Sequence, residues 1–278
     1  MTPLLESHTP GGRGTLADKR VLLTGAGGLL GQAVAVAMER EGATLALVDL
    51  NRDRLKRALG SLCRNGHQIF ECDVRDASSF GTLLQSVIEE VGHPDVLVNC
   101  HGVIASKLLV DMEPDEWRQV FEANVFGTFI TSWELARSWI DRKTKGTIIN
   151  LSSMSVSSPR MGASHYGASK AAVENMTQTW AAELGHHGIR VNAVAPGLIM
   201  DRVVVETDAS IHGYVADTLQ GTPLGRTGSA YDVAEVVVFL ASDRAAWLSG
   251  SVVEVTGGAH CGRTHMRPAD SAPSSAET

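Results

Sequence analysis

Short apolar runs alternate with longer segments along most of the chain. The runs are RVLLT (20–24), TLALV (44–48), QIFE (68–71), DVLVN (95–99), TIINL (147–151), IRVNAV (189–194) and SVVEV (251–255). Most are continuously apolar rather than alternating, the pattern of strands covered on both faces. Between them, LLGQAVAVAMEREG (29–42) carries an apolar face at helical spacing and closes on Gly42, a residue suited to the position after a helix. Pro114 stands where another helix can begin, running through PDEWRQVFEANVFGTFITSWELARSWI. YGASKAAVENMTQTWAAELGHHG (166–188) and DVAEVVVFLAS (232–242) read as two more. Repeated β-α units predict a single α/β domain. Its seven-stranded parallel sheet is doubly wound, with helices on both faces. Ligands of such sheets sit beyond the carboxyl ends of the strands.

The ends of the chain break this pattern. Residues 1–15 are rich in Pro, Gly and Thr, and residues 263–278 are polar and rich in Pro, Ser and Ala. Both are expected to be disordered, since neither can bury enough apolar surface to offset ordering entropy. The folded domain is expected over 16–262, with a substrate lid over about 198–226.

Composition narrows the partners. Of 278 residues, 44% are apolar and 20% charged, as in ordinary globular proteins. The net charge of −7, with no basic patch, argues against nucleic acid and anionic membrane as partners. No apolar run reaches the roughly 18 residues of a membrane helix. The N-terminus lacks the basic start and apolar stretch of a secretory signal. Cys63, Cys72, Cys100 and Cys261 have no metal-ligand spacing and read as reduced thiols. A cytoplasmic protein without a bound metal is expected.

The 28 glycines draw attention to one loop, TGAGGLLGQ, between the first strand and the first helix. Gly25 can make the tight turn, Gly27 or Gly28 can admit a pyrophosphate, and Gly31 lets the helix pack close to the strand. Asp49 ends the second strand about 24 residues later, as a dinucleotide fold requires. Its carboxylate can accept hydrogen bonds from ribose hydroxyls and would repel a 2′-phosphate, so NAD is favoured over NADP despite nearby Arg52.

Tyr166 and Lys170 share one helix face at i, i+4 spacing. A nearby ammonium and an oxidised nicotinamide would favour phenolate and make Tyr166 a usable base. Ser153, just past TIINL, can turn back toward Tyr166 and donate to a substrate oxygen. Ser152, Ser155, Ser157 and Ser158 compete for that role.

With these residues the chain resembles the classical short-chain dehydrogenases/reductases over about residues 16–262. Thr24-Gly25, Gly31, Asp73, Asn99, Gly102, Asn124, Ser153, Tyr166, Lys170, Asn192, Pro196 and Gly197 occur in that family's order. The resemblance implies a Rossmann-type fold and the catalytic tetrad Asn124, Ser153, Tyr166 and Lys170. It implies cofactor contacts from Gly25, Gly28, Leu29, Leu30, Gly31, Asp49, Leu50, Asp73, Val74, Asn99, Gly102, Tyr166, Lys170, Pro196, Gly197 and Ile199. Asp73 and Val74 would flank the adenine, Asn99 would steady the central sheet, and Asn124 would hold a water relaying protons from Lys170. A homotetramer is implied, built on helices near 114–142 and 166–187 and on the last strand.

Three departures stand out. Leu29 occupies a position that is glycine in the classical pattern. The Asn-Asn-Ala-Gly element appears as Asn99-Cys100-His101-Gly102, which places His101 beside the cofactor or in the pocket. Asp201 replaces a common threonine, and either meets the nicotinamide carboxamide or faces solvent or substrate. His101, Ser155, Met161 and Asp201 are the substrate-side candidates, with Val103, Met154, Arg160 and His165 as further wall residues. Arg160 can meet an anionic substrate or simply be solvated. The expected reaction is hydride transfer between NAD(H) and a secondary alcohol or ketone, a polyol, cyclic alcohol or 3-oxoacyl group. A nucleotide-sugar epimerase or dehydratase is the alternative enzyme, and a non-catalytic NAD(H) sensor the alternative outside enzymes.

Overall fold

A computed structural model of the protein describes residues 14–205 and 213–261. Seven parallel strands form the central sheet: β1 (Arg20–Thr24), β2 (Thr44–Asp49), β3 (Gln68–Glu71), β4 (Val96–Asn99), β5 (Gly146–Leu151), β6 (Ile189–Pro196) and, numbered after two short strands of the lid, β9 (Val252–Val255). Their order is β3-β2-β1-β4-β5-β6-β9. Adjacent residues of one strand serve opposite cores. Val21 and Leu23 pack under α1 (Leu29–Arg40), α2 (Arg52–Gly60) and α8 (Ala230–Ala241). Leu22 packs with Phe80, Leu135 and Trp139 on the other face, under α3 (Ala77–Glu90), α5 (Gly127–Arg142) and α6 (Ser164–Leu184). Burial on both faces is why these strands read as unbroken apolar runs.

The strand order reverses between β1 and β4, whose last residues Thr24 and Asn99 pair in register. Their crossovers leave in opposite directions, which opens a crevice at the carboxyl edge. Asn51 and Asp76 cap α2 and α3 by accepting backbone N–H bonds.

Three elements differ from the sequence reading. The helix from Pro114 is not continuous: α4 (Pro114–Phe121) passes through a π-turn at Glu122–Phe126 into α5. The last helix starts two residues early because Ser229 and Asp232 form a reciprocal capping box. A short parallel pair, β7 (Ile199–Met200) with β8 (Gly228–Ser229), and a helix, α7 (Gly213–Gln220), fall in and just beyond the segment expected to form a substrate lid. Of the segments expected to be disordered, 1–13 and 263–278 lie outside the described residues. Thr15 does not behave as loose chain: its N–H and hydroxyl both donate to Glu41, at 3.0 and 2.9 Å. Residues 206–212, within the expected lid, also lie outside the described residues.

Candidate active site

The glycine loop is shaped by what lies against it. Gly25 has φ +67°, and a Cβ there would stand 2.5 Å from the His101 backbone nitrogen. Only glycine lets the exit of β1 pass the exit of β4 so closely. A Cβ on Gly31 would collide with the Gly25 carbonyl. Gly27 donates its N–H to Asp49 Oδ2 at 3.0 Å and packs on Arg54, whereas a Cβ on Gly28 would meet only the Gly25 oxygen at 3.4 Å. Gly28 is therefore the residue open to a ligand. The first turn of α1 carries no side-chain cap and no acidic residue. Its bare amides and positive dipole end suit a pyrophosphate. Leu29 is exposed at this mouth, while Leu30 turns back onto the core.

Asp49 ends β2 with its second oxygen accepting the Asn51 N–H at 3.1 Å, and Leu50 is exposed beside it. Asp73 is gripped by Arg75 through contacts of 2.6 to 3.0 Å, and this guanidinium holds its carboxyl below the usual range. Val74 borders Gly127 and the His101 ring. The Asn99 amide is spent on the frame: Nδ2 donates to Ser132 and Asn150, and Oδ1 accepts from Thr131. Its side chain thus ties β4 to β5 and α5 rather than turning to the crevice. Gly197 is required by the Thr256 backbone, 2.9 Å from where a Cβ would stand. Beyond Pro196 and Gly197, Ile199 packs on the core from β7. The crevice therefore fits a nicotinamide dinucleotide: open glycine backbone, bare helix amides and a carboxylate at the end of β2.

The four tetrad residues converge from three elements. Asn124 lies in the π-turn and is fully buried. Its Oδ1 accepts from the Val103 N–H at 2.8 Å, and its Nδ2 donates to the Val103 carbonyl and to Ser169 Oγ. Ser169 in turn donates to the Tyr166 carbonyl at 2.7 Å. Asn124 thus staples the Gly102-Val103 loop to α6, and a π-turn is a frequent device for aiming one side chain this way. A Cβ on Gly102 would lie 3.0 Å from Asn124 Oδ1 and 3.5 Å from Lys170 Nζ. Lys170 donates to the Leu151 carbonyl at 2.7 Å, and burial lowers its pKa to about 8. Its Nζ lies 5.9 Å from the Tyr166 ring centre.

Ser152 and Ser153 point apart. Ser152 donates to Glu174 at 2.6 Å, one turn of α6 beyond Lys170. Ser153 donates to Ser155 Oγ at 3.2 Å and accepts the Ser155 N–H at 3.1 Å. Burial raises the Tyr166 pKa above its ordinary value, with Ser153 and the Arg160 charge pulling it back. The expected depression by Lys170 is absent from the protein alone, because desolvation of the phenolate outweighs its neighbours.

His101 is held from behind. Its Nδ1 lies 2.6 Å from the Thr24 hydroxyl and its Nε2 3.4 Å from that of Thr128. Burial pushes its pKa down to about 3, so the ring is neutral. Asp201 is exposed and accepts from its own neighbour's N–H at 2.9 Å. Met161 is 89% exposed at the mouth. Ser155 is half-buried, its carbonyl over Gly167. Sequence reasoning missed Ser169, Thr128 and the Leu151 carbonyl. None belongs to a motif, and each is found only once α5, α6 and β5 are packed together. Among the described residues, no group of three or more His, Cys, Asp or Glu could hold a metal ion, and no helix is long and apolar enough to cross a membrane.

Fold and site together define a nucleotide-dependent oxidoreductase. A family profile described as enoyl-(acyl carrier protein) reductase matches residues 25–260. The human (3R)-3-hydroxyacyl-CoA dehydrogenase is 36% identical over 253 residues, covering 87% of this chain and 96% of that protein. A 3-oxoacyl-(acyl-carrier-protein) reductase of Thermotoga maritima is 33% identical over 249 residues, covering 87% and 98%. Among solved structures, a short-chain type dehydrogenase/reductase from Mycobacterium marinum superposes with a TM-score of 0.81 at 32% identity, covering 89% of this chain and 97% of that one. The chain belongs to the short-chain dehydrogenase/reductase family. It is an oxidoreductase acting on secondary alcohols or ketones with a nicotinamide nucleotide.

Proposed function

We propose that this enzyme uses NAD(H) and that Tyr166 exchanges the substrate proton. The observation that carries this is the buried Tyr166 phenol with the Lys170 ammonium 5.9 Å from its ring centre, one helical turn away. In reduction the phenol donates its proton to the forming alkoxide; in oxidation the phenolate takes it back. Ser153 donates to the same substrate oxygen and stabilises its developing charge. Lys170 steadies the phenolate from within the helix. The Asn124 side-chain donors are both engaged, so a relay water takes its carbonyl oxygen or the remaining lone pair of Oδ1. When bound oxidised, the nicotinamide accepts the hydride and adds a positive charge that favours phenolate. Leu29, Leu50, Val74, Gly102, Pro196, Gly197 and Ile199 border the crevice that would hold it.

Asp49 supports NAD over NADP, since its carboxylate stands at the end of β2 where a 2′-phosphate would be repelled. The test is a panel of secondary alcohols, polyols, cyclic diols and 3-oxoacyl thioesters, followed at the NADH absorbance with NAD and NADP in parallel. At least tenfold higher kcat/KM with NAD is expected, and an NADP preference would overturn the role of Asp49. A homotetramer is supported by the aromatic stack running from the π-turn into α5, where Phe126, Phe129 and Trp133 follow one another at 6.0 and 6.2 Å with 39–49% of each exposed. Light scattering should give four chains, and Trp133→Glu should give fewer. Four free thiols suit the reducing cytoplasm.

A further inference from the structure

We infer that Arg160 reads an anionic group on the substrate, a carboxylate, sulfonate or phosphate a few bonds from the reacting carbinol. The inference rests on the alcohol-oxidoreductase reading above and names what that site selects. Arg160 lies in the loop that joins Ser153 to Tyr166. Its carbonyl accepts the Ala163 N–H at 3.3 Å, and Gly162, at φ +74°, accepts the Lys107 N–H at 2.8 Å. The Ser155 carbonyl lies 3.1 Å from where a Cβ on Gly167 would stand, so the loop folds over the first turn of α6. The turn is braced on both sides, which fixes the loop that carries Arg160. Its guanidinium is close enough to favour the phenolate.

The surroundings explain why this cation matters. Arg40, Arg75, Arg118 and Arg226 are each ion-paired. Among the described residues no carboxylate pairs with Arg160. Its Cζ lies 5.6 Å from the ring centre of Tyr214 on α7. Stacking occupies the guanidinium face and leaves the in-plane N–H donors for a planar anion. The rest of the rim is open: Val103, Ile104, Met161 and Val203 are exposed apolar residues, beside the exposed Asp201 and Arg202. In a chain of net charge −7, a cation near Tyr166 favours the entry of an anion.

The test uses matched probes: 2-, 3- and 4-hydroxy acids, their neutral methyl esters and a neutral 3-hydroxyacyl thioester. At least one acid should exceed its ester tenfold in kcat/KM with the wild type. Arg160→Gln should collapse that ratio at least tenfold, mainly through KM of the acid, and Arg160→Lys should restore part of it. Acid and ester falling together in Arg160→Gln would leave Arg160 only a lid contact and overturn the inference. So would a wild type that prefers every ester or the thioester. Should no alcohol turn over, acetoacetate and methyl acetoacetate are compared as quenchers of bound NADH fluorescence. Acetoacetate binding lost in Arg160→Gln supports the inference; equal binding by both proteins overturns it. Failure of the hydride-transfer reading shows separately, as NADH binding with no turnover of any alcohol.

Discussion

The carboxyl edge of the sheet has two halves built on different principles. The half beyond β1 and β2 is made of backbone in contact with backbone: Gly25 against His101, Gly31 against Gly25, Gly27 bonded to Asp49. The half beyond β4 and β5 is made of loops with exposed apolar side chains. Ile104, Leu109, Val110 and Met161 are each at least 72% exposed. A nucleotide common to many reactions can be held by main chain, which no side-chain change alters. A substrate peculiar to one reaction is met by side chains on loops, where substitution costs the fold little. Tyr166 stands between the halves.

The largest effect should come at that junction. Tyr166→Phe removes the exchanging proton and keeps the ring, so kcat should fall about 10³-fold, within the span typical of general acid–base groups. NADH binding, read by fluorescence titration, should stay near the wild type. Near-wild-type turnover would show that the proton travels another way and that the two halves do not meet at Tyr166.

Two glycines with the same backbone angle set the halves against each other. Gly25 at φ +67° faces the His101 backbone, whereas Gly225 at φ +65° has nothing within 4 Å of a built Cβ. Gly25→Ala must bear both strain and collision, about 2–4 kcal/mol. Gly225→Ala bears strain alone, about 1 kcal/mol. At about 2–4 °C per kcal/mol, melting should fall by about 5–15 °C in the first and by no more than about 4 °C in the second. Equal losses would erase the distinction.

Lys170 gives the junction a pH signature. Its folded pKa, about 8, lies below the ordinary 10.5. Between those values the unfolded chain binds more protons, so the apoprotein gains stability as pH rises from about 8 toward 10.5, and the cost is fully present below 8. The full gain is about 3 kcal/mol, most of it below the range where Tyr166 begins to ionise. Melting between pH 7.5 and 9.5 should rise for the wild type and rise less for Lys170→Met. Asp49→Asn, in the cofactor half, should weaken NAD binding by about 10-fold, since a charged hydrogen bond contributes roughly 1.5–3 kcal/mol. It should also narrow the NAD-to-NADP ratio. An unchanged ratio would take Asp49 out of cofactor choice.

The cofactor half was legible in the sequence because its constraints are local. A glycine loop between a strand and a helix, and an acidic residue at the end of the next strand, lie within one β-α-β unit. The central strands were legible because both faces are covered. The engaged amides of Asn99 and Asn124 were not, since their partners Ser132, Asn150, Val103 and Ser169 come from distant segments. The π-turn at Asn124 leaves no mark in a helical apolar period. In the protein alone the Tyr166 pKa lies above its ordinary value, because burial is a property of the packed fold and desolvation opposes the charge that Lys170 and an oxidised nicotinamide would stabilise. The start of α8 was readable from Ser229 and Asp232, three apart, and was passed over for the apolar run that follows.

The smallest effect tests the substrate half directly. Met161 is 89% exposed, so Met161→Ser removes almost no buried surface and should leave melting within about 0.5 kcal/mol of the wild type. Met161 lies in the loop between Ser153 and Tyr166, where a long apolar substrate could lie against its exposed thioether. Losing that contact should raise KM for a substrate with a long alkyl chain by a few-fold, under the roughly 1.4 kcal/mol that a tenfold change represents. KM for a short alcohol should not move. Steady-state kinetics on a chain-length series decides the matter. A KM shift that grows with chain length, without a stability change, marks a rim that selects substrates and holds nothing together. A fall in melting temperature with equal KM shifts at every length would mean that the rim is structural and that the two halves are built alike.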